Sequence, residues 1–507
     1  MIKSLQKSHF SSLLLNDSIF RMAYFINLFL CSIVILDVVS VFINAVIFVW
    51  SLFIFNDKIK RKVLNIKYSY LIMLFIFFWL VTDFLHITVG FPFNFLANVG
   101  MTYHGAVCFF MFYGMYKDNK PEEIKKEAIL LFKIIVFLTT LFNILSFIML
   151  LFIDSFEFGG NIPSIEKYVE IIKNMGWDMP TIEKYEHTIG IIKDIDSMRF
   201  TGIYTNPNIV AFCSAVAIIF CHILYQSSEF LKNEKSYIKV IFFVLTISVN
   251  LAALILSDSI ASFLFLVIYS VLWIFYKLLL ESNSFSIKSV LKKSLAFLLV
   301  CIALIFSLFG IRSCFQDSAS NVMDEIYSII SSVDIKKEAD ESIHFGRPNH
   351  DIRSGSGRRR LLNQAAVLVA KHPLLGIGNA NIVDYGKIYF KSGIAFPNIH
   401  NGYVSVLVSN GIIGFIIFIL FLVLVLTKLF LFLLKKCPTL KGNVFSNLFI
   451  AILSYLIFAL FEKTMLSEVN FMGLFFWLIL GYAVTYIYSY DEFDFKERYK
   501  IKDTFKK

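Results

Sequence analysis

The chain has 507 residues, of which 58% are hydrophobic and 17% charged, with a mean hydropathy of +0.72. This excludes an ordinary soluble protein. Apolar spans of about 20 residues, repeated along the length, describe one polytopic helical membrane domain covering 1–507. The formal charge of +10 does not point to nucleic acid, because the basic residues fall in short loops between spans, where they report topology.

Residues 1–21 are polar and basic, and the apolar stretch after them lacks a small-residue cleavage site, so no cleavable signal peptide is expected. Twelve spans are predicted, at about 22–36, 38–55, 69–88, 94–116, 127–153, 203–226, 239–256, 260–280, 294–312, 403–433, 445–461 and 471–489. Met22 to Phe55 is read as a hairpin around Asp37 rather than one long helix, because both flanks are basic. Lys3, Lys7 and Arg21 precede it, and Lys58, Lys60, Arg61, Lys62 and Lys67 follow, and positive flanks prefer the cytoplasm. The loops 117–126, 227–238, 281–293 and 434–442 and the tail 491–507 are basic in the same register. Both termini are then expected inside a bacterial cytoplasmic membrane, with two large loops, 154–202 and 313–402, on the outer face. In the first loop, Ile165 to Met175 and Ile182 to Ile195 are predicted as short amphipathic helices on the interface. In the second, Arg353 to Gly357 reads as a mobile connection. It leads into a helix around Leu361 to Ala370 with Leu361, Ala365, Leu368 and Val369 on one face. The expected fold class is all-α polytopic. Five cysteines (Cys31, Cys108, Cys213, Cys221 and Cys301) lie in spans and only Cys314 lies in the long loop, so neither a disulfide framework nor a zinc spacing is expected.

Two outer segments carry candidate chemistry. The first is R-F-T-G-I-Y-T-N-P-N, Arg199 to Asn208, where Pro207 after Asn206 suits a first helical turn and Gly202 permits a tight approach. The second runs from G-R-R-R (Gly357 to Arg360) through H-P-L-L-G-I-G (His372 to Gly378) to N-I-H-N (Asn398 to Asn401). Loops longer than about 12–15 residues are usually functional or disordered. Taken singly, Arg199 reads as a headgroup anchor, Arg358, Arg359 and Arg360 as a solvated patch, and His400 as a structural histidine. Taken together they suit transfer from a lipid diphosphate. Guanidinium groups bind phosphate bidentately and keep their charge, and an imidazole can take a proton from an attacking hydroxyl.

These segments resemble the O-antigen ligase and polymerase family of bacterial polysaccharide assembly, from about Arg199 to Gly481. The resemblance rests on R-x-x-G-x-x-x-N-P-N, on a G-R about fifteen residues before H-P-L-L-G-I-G, and on H-N followed by N-G-I-I-G (Asn410 to Gly414). It implies that Arg199 and Arg358 hold a lipid diphosphate, with His400 as catalytic base. Arg359, Arg360, Asn206, Asn208 and Asn401 would support them. It also implies a GT-C-like architecture, polyprenyl-diphosphate-linked oligosaccharides as donor and acceptor, no cofactor or metal, and a flippase and chain-length regulator as partners beside membrane lipids. Two departures stand out. Leu362 replaces a common Trp, and Ser257-Asp258-Ser259 replaces a common Ser-Arg-Gly, putting an anion where a cation is usual. Asp258 is expected either to cap the following helix or to bind sugar hydroxyls.

A repeat-unit polymerase for O-antigen or capsular polysaccharide is preferred to a ligase that transfers glycan to lipid A-core. The 57 phenylalanines, with abundant Ile and Lys, suggest an AT-rich genome and suit a divergent, sugar-specific enzyme. A flippase would show paired repeats or charges along a midplane path. Asp83, His86, His104 and Lys133 are the polar suspects inside spans. His344, His350 and Asp351 fit no metal-ligand spacing.

Overall fold

A computed structural model describes residues 14–60, 66–117, 121–151, 155–158, 187–194, 197–227, 235–280, 310, 312–326, 358–390, 399–436, 444–466 and 468–504. The fold is that of an all-α polytopic membrane protein. In chain order the helices are α1 (Asp17–Leu30), α2 (Val34–Lys60), α3 (Ser69–Leu85), α4 (Phe93–Val107), α5 (Pro121–Leu150), α6 (Pro207–Gln226), α7 (Ser236–Leu256) and α8 (Ile260–Leu280). They continue as α9 (312–326), α10 (Arg358–Lys371), α11 (Ile382–Tyr389), α12 (Gly402–Lys436), α13 (Val444–Phe458) and α14 (Phe471–Thr504). Three short strands, β1 (Ser155–Phe158), β2 (His187–Asp194) and β3 (Ser197–Gly202), form an antiparallel sheet in the order β1-β2-β3.

Seven helices among the described residues are long and apolar enough to cross a membrane, and three more, Phe42–Phe55, Ser69–Leu85 and Ser446–Phe458, are apolar but shorter. α1 has 14 residues, about 21 Å at 1.5 Å per residue, and falls short of a hydrocarbon core of about 30 Å. The predicted hairpin is present, but its turn lies at residues 31–33 and not at Asp37, which is inside α2. Asn16 starts α1 early by accepting the amide hydrogens of Ser18 and Ile19. The turn is fixed by its neighbours: Val34 N donates to Ile203 O, and Thr205 N to Ser32 O, both at 3.0 Å. Residues 187–194 of the expected amphipathic helix Ile182 to Ile195 are strand β2. The β-branched run Thr188, Ile189, Ile191 and Ile192 favours a pleated strand. The expected helix Ile165 to Met175, the connection Arg353 to Gly357 and most of the span 294–312 lie outside the described residues.

α6 is buried nearly all round and forms the centre of the bundle, as expected for a helix apolar on every face. Phe475 of α14 packs on Phe212 and Phe220 of α6, each with ring centroids 5.5 Å apart. α2 and α7 instead turn Phe42, Val46, Phe53, Ile241, Phe242 and Val244 outward. Such apolar surfaces suit a lipid surround, where helices satisfy their own backbone groups.

Contacts gather the turn 31–33, the α3–α4 loop, β3, the α7–α8 turn, α9–α11, the start of α12 and the α13–α14 loop at one end of the bundle, called here the upper end. The opposite end is closed by charge. Arg21 is fully buried with Glu127, its Nε and Nη2 donating at 2.9 and 2.6 Å, and Lys58 lies 3.8 Å from Asp17.

Candidate active site

At the upper end, R-x-x-G-x-x-x-N-P-N works as one local unit. β3 carries Arg199 to the α7–α8 turn, where its Nε donates to Ser257 O at 3.0 Å and its Nη2 to Asn208 Oδ1 at 2.7 Å. Asn206 caps α6 by accepting the Asn208 amide hydrogen at 2.8 Å, and Pro207 takes the first turn, where a missing N–H costs nothing. Gly202, at φ +58°, runs so close to Ser146 that a Cβ would overlap its side chain. The glycine, the cap and Asn208 therefore aim one guanidinium.

The α7–α8 turn explains the departure at position 258. Asp258, in the left-handed region at φ 54°, ion-pairs with Arg312 of α9 and accepts from Gln316 Nε2 at 3.2 Å. The anion fastens a cation delivered by the long loop, a role that neither capping nor sugar binding describes.

His400 stands immediately before α12. Asn401 caps that helix, its Oδ1 accepting from Val404 N and its Nδ2 donating to Leu460 O, both at 3.0 Å. Gly402 N donates to Ala459 O at 2.7 Å, so the α13–α14 loop is docked on the start of α12. Docking brings Glu462 Oε2 to 3.3 Å from His400 Nδ1. A carboxylate only accepts, so Nδ1 carries the hydrogen and the basic lone pair of the neutral ring is on Nε2. The Glu462 side chain is 5% exposed and that of His400 27%. The carboxylate is thus screened while the ring stays within reach of a ligand. Glu462 is the functional candidate that the sequence reading missed. Its only signal is an acid in F-E-K-T between two spans, and its partner is 62 residues away. Next to it Lys463 lies 3.4 Å from Glu468, whose carboxyl is pushed up by desolvation against the pull of Lys463.

The glycine motifs form the scaffold beneath the histidine. α12 is broken at Gly411 (φ 63°, ψ −173°), and the kink leaves Val408 O and Ser409 O to accept from Ile377 N at 3.0 Å and Gly378 N at 2.9 Å. In return Ile412 N donates to Pro373 O at 2.8 Å and Ile413 N to Leu374 O at 3.2 Å. H-P-L-L-G-I-G and N-G-I-I-G are therefore two halves of one backbone interlock. α3 braces it, with Thr82 Oγ1 donating to Leu375 O at 2.7 Å and His86 Nε2 to Gly376 O at 3.0 Å. His372 belongs to this brace, its Nε2 lying 2.9 Å from the Tyr389 hydroxyl. Desolvation lowers its pKa and favours the neutral ring.

Arg358 is half-buried and opens α10, while Arg359 and Arg360 are exposed. α10 buries Leu361, Ala365 and Leu368, three of the four residues expected on that face, and Ala365 and Leu368 share a small core with Ile377 and Ile399, the neighbour of His400. Arg199 and His400 are linked through the bundle. Phe212, one turn into α6 beyond Asn208, stacks at 5.1 Å on Phe458, four residues before Glu462. Among the described residues no hydrogen bond or ion pair joins Arg199, Arg358 and His400 to one another. They are separate arms at one end of the molecule.

The intramembrane suspects are internally satisfied. Asp83 accepts from Thr102 Oγ1 at 2.8 Å, and His104 bridges the Tyr24 hydroxyl at 2.7 Å and Cys108 Sγ at 3.4 Å. His86 serves the brace, and Lys133 is exposed. Among the described residues no group of three His, Cys, Asp or Glu is placed to hold a metal, and His344, His350 and Asp351 lie outside them.

No curated protein matches the chain. Residues 241–419, which run from α7 past His400 and Gly411 into α12, match the family described as O-antigen ligase. That family acts on lipid-linked saccharides in O-antigen assembly by glycosyl transfer. This multi-pass membrane protein thus carries, over those residues, a domain of the O-antigen ligase/polymerase-like family.

Proposed function

We propose that the protein is a polysaccharide polymerase. It joins repeat units carried on a polyprenyl diphosphate, with both termini in the cytoplasm and the upper end on the outer face of a bacterial inner membrane. The observation that carries this reading is the His400–Glu462 pair at the end of the bundle where Arg199 is aimed. In the reaction, His400 Nε2 takes the proton of an acceptor hydroxyl as its oxygen attacks the anomeric carbon. The bond from that carbon to the diphosphate breaks, and its electron pair leaves on the diphosphate. Arg199 and Arg358 stabilise the charge that develops there. Direct displacement inverts the anomeric configuration. Leaving-group stabilisation falls to guanidinium groups, so the scheme invokes no metal ion.

The test is incubation of purified protein with a synthetic polyprenyl-diphosphate oligosaccharide. Laddering on gels supports polymerisation. Product formed only with added lipid A-core indicates ligation, and no turnover favours a flippase. Arg199→Ala and Arg358→Ala are each expected to abolish most polymer at matched expression. Arg358→Lys should also be poor, because lysine keeps the charge but loses the planar fork, whereas Arg360→Lys should be milder. Near-normal polymer from both alanine variants would leave the arginines as headgroup anchors. For topology, cysteines placed at Gly159 and Ser356 should react with an impermeant thiol reagent outside, and those at Lys120, Ser284 and Lys500 should not. Protection of the Ser356 position would put the whole site on the wrong side.

A further inference from the structure

The α7–α8 turn is gripped from two sides. Arg199 reaches it from β3 and holds Ser257 O, while Arg312 reaches it from α9 and holds the Asp258 carboxylate. Residues 257 and 258 are adjacent, with Cα atoms about 3.8 Å apart, so the two guanidinium groups address one short piece of backbone. Gln316, one turn beyond Arg312, donates to Ile255 O at 3.0 Å as well as to Asp258, which docks α9 against the turn. Arg312 is 7% exposed and Asp258 2%. A buried ion pair is weak evidence for stability, because apolar residues of similar size usually serve as well. Asp258 also occupies the left-handed region, which is uncommon for a residue other than glycine. Two arginines against one carboxylate leave the turn with excess positive charge, at the end of the molecule where the diphosphate is assigned.

We propose that Arg312 is a further diphosphate-binding residue and that Asp258 is the positioning residue that holds it beside Arg199. This rests on the lipid-diphosphate reading above. Asp258 fixes the orientation of the guanidinium, and the fork geometry of arginine lets it serve a carboxylate and a phosphate oxygen together. Because α9 opens the long segment between α8 and α10, a bound diphosphate would also tie that segment to the bundle.

The experiment measures initial rates of purified protein against synthetic polyprenyl-diphosphate oligosaccharide for wild type, Asp258→Asn, Arg312→Gln and the double variant. Arg312→Gln alone strands a buried carboxylate and risks misfolding, so the double variant, which leaves no buried charge, decides. Asp258→Asn is expected to raise the donor KM by a few fold. The double variant should lower kcat/KM by about tenfold or more, mostly through KM, since the loss is of a charged phosphate contact. If Arg312 only neutralises Asp258, the double variant recovers wild-type kcat/KM and the proposal fails. Absence of turnover by the wild type would instead overturn the donor assignment itself, so the two failures are distinguishable.

Discussion

Replacing His400 by alanine is expected to reduce turnover by about 10²–10⁴-fold, the usual worth of general-base help, while donor binding is largely kept. His400→Gln should be similarly poor, because the amide keeps hydrogen bonding but has no useful basicity. Glu462 sharpens the test. Its carboxylate accepts from Nδ1 and so fixes the tautomer that presents Nε2 as the base. Glu462→Gln can still accept at its carbonyl oxygen but no longer stabilises the imidazolium formed as the proton arrives. It should therefore lower kcat by roughly tenfold, less than loss of the base itself. The sign with pH follows from the same chemistry. A protonated imidazole cannot accept a proton, so wild-type activity should fall on acidification, and the acid limb should vanish from whatever residual rate His400→Gln retains. Robust turnover by His400→Gln would make the histidine a positioning residue and send the search for a base elsewhere on the upper end.

The parts of this protein that were legible in its sequence are those governed by local rules. Apolar runs of membrane length marked the spans, and the asparagine and proline at 206 and 207 marked the start of α6, because a cap needs only its own neighbours. The buried face of α10 followed from helical periodicity. Pairings set by long-range packing were not legible. The Glu462 to His400 contact crosses 62 residues and Arg312 to Asp258 crosses 54, so neither leaves a periodic or local trace. The turn at 31–33 was misplaced because Asp37 is the conspicuous polar residue, whereas the break is fixed by backbone bonds to 203–205. The glycine motifs were visible, yet their meaning was not, since each half of the interlock is uninformative without the other.

Gly411→Ala is expected to be as damaging as loss of the base, although residue 411 takes no part in the chemistry. Its φ of 63° lies in the left-handed region, and an added Cβ would overlap the Leu374 carbonyl and stand 2.5 Å from Gly376 N. Gly376 meets the same wall from the other side, with Val408 O and Gly411 N each 2.5 Å from a would-be Cβ. Strain at such a φ costs about 1–3 kcal/mol and overpacking about 1–3 kcal/mol, a penalty of roughly 2–6 kcal/mol against backbone atoms that cannot step aside as a flexible side chain can. Relief requires separating the 373–378 loop from α12. That separation breaks the four bonds at Pro373, Leu374, Ile377 and Gly378 and frees the first segment of α12, which His400 precedes. The measurement is thermal unfolding in detergent together with polymer yield, for Gly376→Ala, Gly411→Ala and, as a control, Gly100→Ala. Gly100 is helical with nothing within 4 Å of an added Cβ, so alanine there should be neutral or slightly stabilising. Both interlock variants should melt earlier than wild type and lose polymer even where folded protein is recovered. Wild-type melting and yield from Gly411→Ala would show that the glycine contact does not hold the site, and the placement of His400 would then rest on the α13–α14 loop alone.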